Sequence, residues 1–260
     1  MEISPNFVEH NEALKKEGLR IITEGNKRGF HLRLLGAIAF QTHCPKFNYL
    51  TLKLGRMLSD VDFAGYASEN AQIVGMMREL GYADQPMITA LWGDRRTIWD
   101  HKSNGTHVDI FFEKLEMNHD IPFTHRLDLD PFTISLADML LEKMQIVHIN
   151  EKDIIDTIML LREHEIGEGI LPETIDAQYI SNLLSKDWGF YHTFTTNLAQ
   201  VQEKTTASQE LTEEDKLDVS KKIRRLSDIL EKQPKTFGWK MRAKIGTKNK
   251  WYKDVEEVRR

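Results

Sequence analysis

The chain has 260 residues, of which 40 % are hydrophobic and 29 % charged, a composition typical of a soluble globular protein of one large or two modest domains. Its single cysteine, Cys44, excludes an internal disulfide and a multi-cysteine zinc site. No apolar run approaches the about 18 residues of a membrane span, and the first residues lack a signal-peptide core. We therefore expect a cytoplasmic protein with no membrane partner.

The net charge of −5 is unevenly distributed along the chain. Residues 231–260 hold ten Lys or Arg and four Asp or Glu, a local charge of +6, which leaves −11 for the first 230 residues. An acidic body with a basic tail indicates an anionic partner near the C-terminus, and a solvated basic surface is an equal alternative.

The first half of the chain mixes helical and strand patterns. The predicted elements, in chain order, are a helix at 7–28, a strand at 31–40, an irregular segment at 41–57, a strand at 58–63, a helix at 67–80 and strands at 87–99 and 106–114. This order indicates an α+β fold with a mixed β-sheet.

The second half reads as helical. Helices are predicted at 135–147, 152–164, 172–184 and, after a polar linker at 202–211, from Thr212 to about 231. Thr212 and Asp215 have the spacing of a helix N-cap. The sequence thus predicts an α+β domain at 1–130 and a helical domain with a basic tail at 131–260.

Three aspartates occupy strand patterns where aspartate is uncommon. Asp60 and Asp62 alternate with Val61 and Phe63, and Asp109 lies between Val108 and Ile110. Since successive strand side chains point to opposite faces, the aspartates should lie opposite the apolar residues. If the two strands pair, three carboxylates converge and repel one another unless cations bind them. Mg²⁺ is the cation that oxygen ligands of this kind favour.

Two carboxylates on one strand and a third on its neighbour are a layout for two-metal phosphoryl transfer. Two Mg²⁺ ions about 3.5–4 Å apart activate a nucleophile and stabilise the leaving oxygen. Such chemistry depends mainly on positioning and charge neutralisation.

Four motifs in one order then resemble a known family. They are Leu35-Gly36-Ala37-Ile38-Ala39, the Ser59–Phe63 segment, Val108-Asp109-Ile110, and the Leu136–Gln145 helix followed by Lys152-Asp153-Ile154-Ile155-Asp156. Together they are similar to the nucleotidyltransferase superfold typified by DNA polymerase β, and closest to the minimal and AbiEii-like nucleotidyltransferases. The resemblance covers roughly residues 30–165 and implies a nucleotidyltransferase palm followed by a helical domain.

The resemblance also implies roles for individual residues. Asp60 and Asp62 would bind metal and the phosphates of a nucleoside triphosphate, and Asp109 would be the third metal ligand and the base for the incoming hydroxyl. Gly36 would let the backbone approach the triphosphate, and Lys143 would contact phosphate or nucleotide.

Further residues around the motifs complete the predicted nucleotide site. Ala37 and Ser59 flank the glycine and the first aspartate, and Arg56 lies where it could reach a phosphate, although a surface role is equally open. The sequence departs from the family where Gly36-Ala37 replaces Gly-Gly or Gly-Ser, and in the long spacing from Gly36 to Asp60. Either departure leaves open an altered geometry or lost activity.

Lys143 can also be judged without the family. It lies on the stripe of Leu136, Leu140 and Val147, so it should face inward and need a partner, unless it reaches solvent at the stripe's edge. Asp153 and Asp156 lie off the apolar stripe of the next helix and are interpreted as capping or ion-pairing residues.

The sequence thus predicts a Mg²⁺-dependent transfer of NMP from an NTP to a hydroxyl on a small molecule, an RNA 3′ end or a protein. The basic tail suggests tRNA or another RNA as acceptor, and the resemblance permits a toxin-type role. One alternative is a catalytically inactive nucleotide-binding or regulatory module on the same fold. Another is that the aspartate cluster is a structural metal site or a surface feature and that the basic tail is the functional part.

Overall fold

A computed structural model of the chain describes residues 5–53, 58–171 and 173–255. The chain divides into two compact units, and each is described by itself. The N-terminal unit comprises Met1–His43, Leu52–Glu116 and Ile121–Ser135, and the C-terminal unit comprises Cys44–Thr51, Met117–Asp120 and Leu136–Arg260. The units interleave along the chain, whereas the sequence prediction drew one boundary at residue 130.

The first 122 residues alternate between helices and strands. In chain order they are α1 (Pro5–Lys27), β1 (Arg33–Leu35), α2 (Gly36–His43), α3 (Tyr49–Lys53), β2 (Asp60–Gly65), a 3₁₀ turn (Ala67–Glu69), α4 (Asn70–Glu79), β3 (Tyr82–Asp84), α5 (Pro86–Trp92), β4 (Arg96–His101), β5 (His107–Phe112), β6 (Lys114–Glu116) and β7 (Asp120–Pro122).

A five-stranded mixed sheet forms the centre of the N-terminal unit, with strand order β1-β2-β5-β4-β3. β2 and β5 are parallel, and the other neighbours are antiparallel. Helix α1 covers one face: Ile21 and Ile22 are fully buried, and Gly18 lies so close to the sheet that a Cβ there would stand 3.1 Å from Val61. The predicted α+β fold with a mixed sheet is confirmed.

Two predicted strands are partly helical. Within 31–40 only Arg33–Leu35 is a strand, because Gly36 adopts a φ of +69° and redirects the chain into α2. Within 87–99 the strand begins at Arg96, after a helix that starts at Pro86. In both places a short apolar run carried no periodicity that separates a buried helix from a strand.

The C-terminal unit is mainly helical. Its remaining elements are α6 (Leu136–Met144), α7 (Glu151–Glu163), β8 (Glu165–Gly167), β9 (Thr174–Asp176), α8 (Ala177–Leu184), α9 (Trp188–Ala207), α10 (Glu213–Lys232) and α11 (Phe237–Ile245), with a 3₁₀ turn at Gly246–Lys248. Helix α10 begins with the predicted cap, in which the side chains of Thr212 and Asp215 bond each other's backbone N–H. Its buried stripe includes Val219, Leu226 and Leu230.

Two expectations for this unit are wrong. The segment 202–211 is predicted to be a linker, but its residues up to Ala207 are the end of helix α9. The inner face of this part of the helix buries Val201 and Thr205, and its outer face is polar. The third predicted helix begins at Ala177 with Asp176 as its N-cap, and its predicted start, Pro172, lies outside the described residues. None of the helices in the described part of the chain has the length and hydropathy needed to cross a membrane.

Candidate functional site

The strand register places two of the predicted aspartates side by side. β2 and β5 run parallel with Asp62 opposite Asp109, so both carboxylates emerge from the same face of the sheet. The alternate residues Val61 and Phe63 are fully buried on the other face. Asp60 precedes Asp62 by two residues on β2 and therefore shares its face. The sequence prediction of two strands with aspartate on one side and a core on the other is confirmed.

Asp109 is a buried carboxylate with one oxygen engaged and one without a partner. Its side chain is 4 % exposed, and Oδ2 accepts a hydrogen bond from Arg96 Nη2 at 2.7 Å. Oδ1 has no hydrogen-bond partner among the described residues. A buried acceptor left unpaired costs roughly 1–3 kcal/mol, so it marks a place where a ligand would be favourable.

Arg96 is a site residue that sequence reasoning missed. It lies on β4 and packs its guanidinium against the Phe111 ring at 4.9 Å while bonding Asp109. The sequence placed Arg96 in a strand, but nothing in its local pattern linked it to Asp109. Only the antiparallel register, which sets Arg96 opposite Phe111 and Ile98 opposite Asp109, brings them together.

Gly36, the first residue of α2, lies against the side chain of Asp62. A Cβ at this position would lie 2.7 Å from Asp62 Oδ2, closer than real contacts allow, and the φ of +69° disfavours any side chain. The antiparallel pairing of β1 with β2 sets the neighbouring Leu35 opposite Asp62. The glycine therefore brings the first turn of α2, with its amide donors, next to a site carboxylate.

Gly36→Ala should disturb the site more than backbone strain alone would. Gly29→Ala is the matched control, because Gly29 has a φ of +79° but nothing within 4 Å of its Cβ position. We expect Gly29→Ala to lower the free energy of unfolding by about 1–2 kcal/mol and Gly36→Ala to lower it further. Chemical denaturation measures both. Equal losses in the two variants would show that the approach to Asp62 has no structural consequence.

The flanking residues occupy varied positions. Ser59 Oγ donates to Asp60 Oδ1 at 2.9 Å on the exposed rim and so restrains that carboxylate. Ala37 lies half-buried in the first turn of α2 and adds no hydroxyl. Arg56 lies outside the described residues, so its predicted phosphate contact stays a prediction.

The residues present fit a hard divalent cation. Arg96 compensates one of the three aspartate charges, and Asp109 Oδ1 is oriented by that ion pair with its lone pairs unused. Among the described residues, no choice of one oxygen each from Asp60, Asp62 and Asp109 places all three within 4.8 Å of one another. Like charges separate unless a cation draws them together, so binding would require these side chains to turn inward.

Lys143 belongs to the C-terminal unit and faces its interior. Its Nζ lies 3.2 Å from oxygens of both Asp153 and Asp156 and 3.7 Å from Glu142 Oε1, and its side chain is 7 % exposed. The expectation of an inward lysine with a partner is confirmed, as is the ion-pairing interpretation of the two aspartates. Its predicted contact with phosphate or nucleotide stays a prediction.

Comparison with known proteins shows structural similarity to solved structures. The chain is similar in structure to an antigenic nucleotidyltransferase-like protein from Paracoccidioides brasiliensis. The match covers 88 % of this chain and 97 % of that chain, at 13 % sequence identity and a TM-score of 0.43. No protein-family model matches the chain, and no curated protein matches its sequence. At this sequence identity and TM-score the likeness carries no argument about function, which has to be argued from this chain's own residues.

Two other reactive side chains are buried in the C-terminal unit. Cys44 is fully buried, and burial raises the pKa of its thiol far above the usual range. Burial lowers the pKa of His119 to about 4, and its ring stacks on Phe190 while its Nε2 lies 2.9 Å from Thr193 Oγ1. A protonated thiol is a poor nucleophile, and this histidine is engaged in packing, so neither favours a second catalytic centre.

The C-terminal unit also carries aromatic rings paired with cations. The guanidinium of Arg242 lies 4.8 Å from the Trp188 ring, and Lys250 Nζ lies 4.9 Å from the Tyr252 ring. Trp251 is held by a 3.0 Å hydrogen bond from its Nε1 to Thr193 Oγ1. Arg242, Lys250 and Tyr252 belong to the segment 231–260 that the sequence marked as basic, whereas Trp188 begins α9.

Proposed function

We propose that this chain is a Mg²⁺-dependent nucleotidyltransferase that transfers NMP from an NTP to a hydroxyl acceptor. One arrangement with three parts carries the proposal. Asp62 lies beside Asp109 in register, Asp109 has a buried oxygen without a partner among the described residues, and Gly36 brings a helix N-terminus against Asp62. Carboxylates next to a helix N-terminus suit a cation-bound polyphosphate.

The reaction joins the acceptor oxygen to the α-phosphorus of the NTP. The bond from that phosphorus to the oxygen bridging the α- and β-phosphates breaks, pyrophosphate leaves, and the hydroxyl proton passes to Asp109 Oδ1. Bound Mg²⁺ would neutralise the phosphate charge and the leaving oxygen. Arg96 holds Asp109 through Oδ2, which leaves Oδ1 as the oxygen available to receive the proton.

The remaining side chains would position the nucleotide. Asp60 and Asp62 would hold the cation on the phosphates, with Ser59 restraining Asp60 and the first turn of α2 at Gly36 and Ala37 donating amides. Phosphate contacts by Arg56 and Lys143 are implied by the sequence resemblance alone, and Lys143 Nζ is engaged by Asp153 and Asp156 within the C-terminal unit.

Nucleotide binding is tested by thermal unfolding with each of ATP, CTP, GTP and UTP, with and without Mg²⁺. A nucleotide at about 100 times its Kd should raise the Tm by about 5–10 °C, and only with Mg²⁺. The stabilising nucleotide is then incubated with small alcohols, RNA and protein acceptors, and pyrophosphate release is measured. If no nucleotide shifts the Tm in the presence of Mg²⁺, the proposed site is wrong.

A second candidate is the inactive nucleotide-binding or regulatory module. The Arg96 ion pair favours it, because a guanidinium already neutralises the carboxylate that would serve as base. Ala37 favours it as well, since it provides no hydroxyl for a phosphate. This candidate predicts the Mg²⁺-dependent Tm shift without pyrophosphate release on any acceptor, whereas the transferase predicts both.

The acceptor we favour is an RNA, bound through the basic C-terminal segment. Rings with a neighbouring cation, such as Trp188 with Arg242 and Tyr252 with Lys250, suit stacking on bases beside phosphates. A toxin-type role on tRNA rests on the sequence resemblance alone. Transfer to RNA but not to small alcohols would support the RNA acceptor, and a growth defect that Asp62→Asn abolishes would support the toxin role.

A further inference from the structure

Helix α11 carries an exposed apolar stripe. Phe237, Met241 and Ile245 are 80 %, 46 % and 42 % exposed, and their spacing of four residues aligns them along one side of the helix. The opposite side is anchored, since Trp239 packs edge-on against Tyr191 with ring centroids 5.3 Å apart. The stripe is therefore held outward by the packing of the helix. Aligned exposed apolar residues of this kind mark an interaction surface.

A basic stripe runs alongside the apolar one. Lys240 and Lys244 lie on α11, Lys248 lies in the 3₁₀ turn that follows it, and all three are exposed. Lys240 and Lys244 follow Phe237 and Met241 by three positions, so they lie beside the apolar stripe on the helix surface, and Lys248 follows the end of the helix. The surface formed by these six residues is called the α11 face below.

We propose that the α11 face binds an anionic phospholipid surface. The three apolar side chains would enter the boundary between headgroups and acyl chains, while the lysines contact headgroup phosphates. Surface binding of this type needs both signals, apolar insertion and a basic cluster, and the α11 face supplies both. It needs no membrane span, and none is found among the described helices, although the proposal contradicts the sequence expectation of no membrane partner.

The side-chain chemistry favours lipid over RNA at this face. Of the apolar residues only Phe237 has a ring on which a base stacks, so RNA would leave Met241 and Ile245 unused. The cation-paired ring that suits RNA is Trp188 with Arg242, and Arg242 lies on α11 itself, where it bonds backbone carbonyls at Gly246 and Asn249. Substitutions at the six residues of the α11 face leave Trp188 and Arg242 in place, so lipid binding and RNA binding can be tested separately.

Sedimentation with vesicles tests the proposal on the full chain. Vesicles of phosphatidylcholine with about 30 % phosphatidylserine are compared with pure phosphatidylcholine. We expect wild-type chain to sediment only with the anionic vesicles. Phe237→Ser should weaken binding by about tenfold, and Lys240→Glu with Lys244→Glu by more than about 25-fold, because each lysine near an anionic surface contributes about fivefold.

Matched controls separate the face from general effects. Leu217→Ser removes an exposed apolar residue of α10, and Lys221→Glu with Arg224→Glu makes the same charge change on that helix. Both should bind vesicles like wild type. The proposal is overturned if wild type ignores anionic vesicles or if the controls lose as much binding as the α11 variants. Loss of RNA binding in the α11 variants, or loss of a dimer in sedimentation equilibrium, would also overturn it.

Discussion

Asp62→Asn should abolish the Mg²⁺-dependent stabilisation by nucleotide and lower turnover by at least about 10³-fold. The substitution preserves side-chain size but removes the negative charge beside Asp109 that a bound cation would neutralise. Without nucleotide the variant should unfold at the same temperature as wild type or slightly higher, because like-charge repulsion on this face is reduced. Thermal unfolding and pyrophosphate release measure the two effects.

Asp84→Asn is the control for this substitution. Asp84 ends the edge strand β3 and pairs with Arg78 at 3.4 Å. Its substitution by asparagine is therefore the same chemical change on the same sheet but outside the proposed site. It should keep both the nucleotide shift and the turnover. If Asp62→Asn retains the Mg²⁺-dependent shift, the carboxylate cluster is a surface feature and the proposed function fails.

The carboxylate strands were predictable because their pattern is local. Alternation of aspartate with Val61 and Phe63 fixes the face on which each side chain lies, and the pairing of β2 with β5 sets Asp62 opposite Asp109. Arg96 was not predictable, since its role depends on the register between β4 and β5. Helix α2 was missed because Gly36-Ala-Ile-Ala-Phe is apolar throughout and has neither helical nor strand periodicity.

In the helical half, caps were better guides than composition. The Thr212 and Asp215 spacing located the start of α10 correctly, because those side chains bond the free N–H groups of the first turn. The polar composition of 202–211 led to the wrong prediction of a linker, because a helix with one solvated face tolerates polar residues as long as its inner positions are buried. Val201 and Thr205 supply those inner positions.

Lys143→Met should destabilise the chain by about 3–5 kcal/mol. The ammonium lies within 4 Å of three carboxylates that are themselves nearly buried, Asp153, Asp156 and Glu142. Removing it leaves their charges without their common cation, which is far more costly than the loss of an exposed ion pair. Urea unfolding of the full chain at neutral pH measures the change.

Two further variants decide what Lys143 does. Lys204→Met removes a lysine of the same unit that pairs with Glu151 at an exposed position, so it should cost no more than about 1 kcal/mol. Adding Asp153→Asn and Asp156→Asn to Lys143→Met should recover much of the lost stability, because the uncompensated charges disappear with the lysine. If Lys143→Met costs no more than Lys204→Met yet abolishes the nucleotide shift, the lysine serves the nucleotide rather than the fold, as the sequence resemblance implies. A large loss that the added asparagines reverse would instead make Lys143 a structural cation that holds α6 to α7.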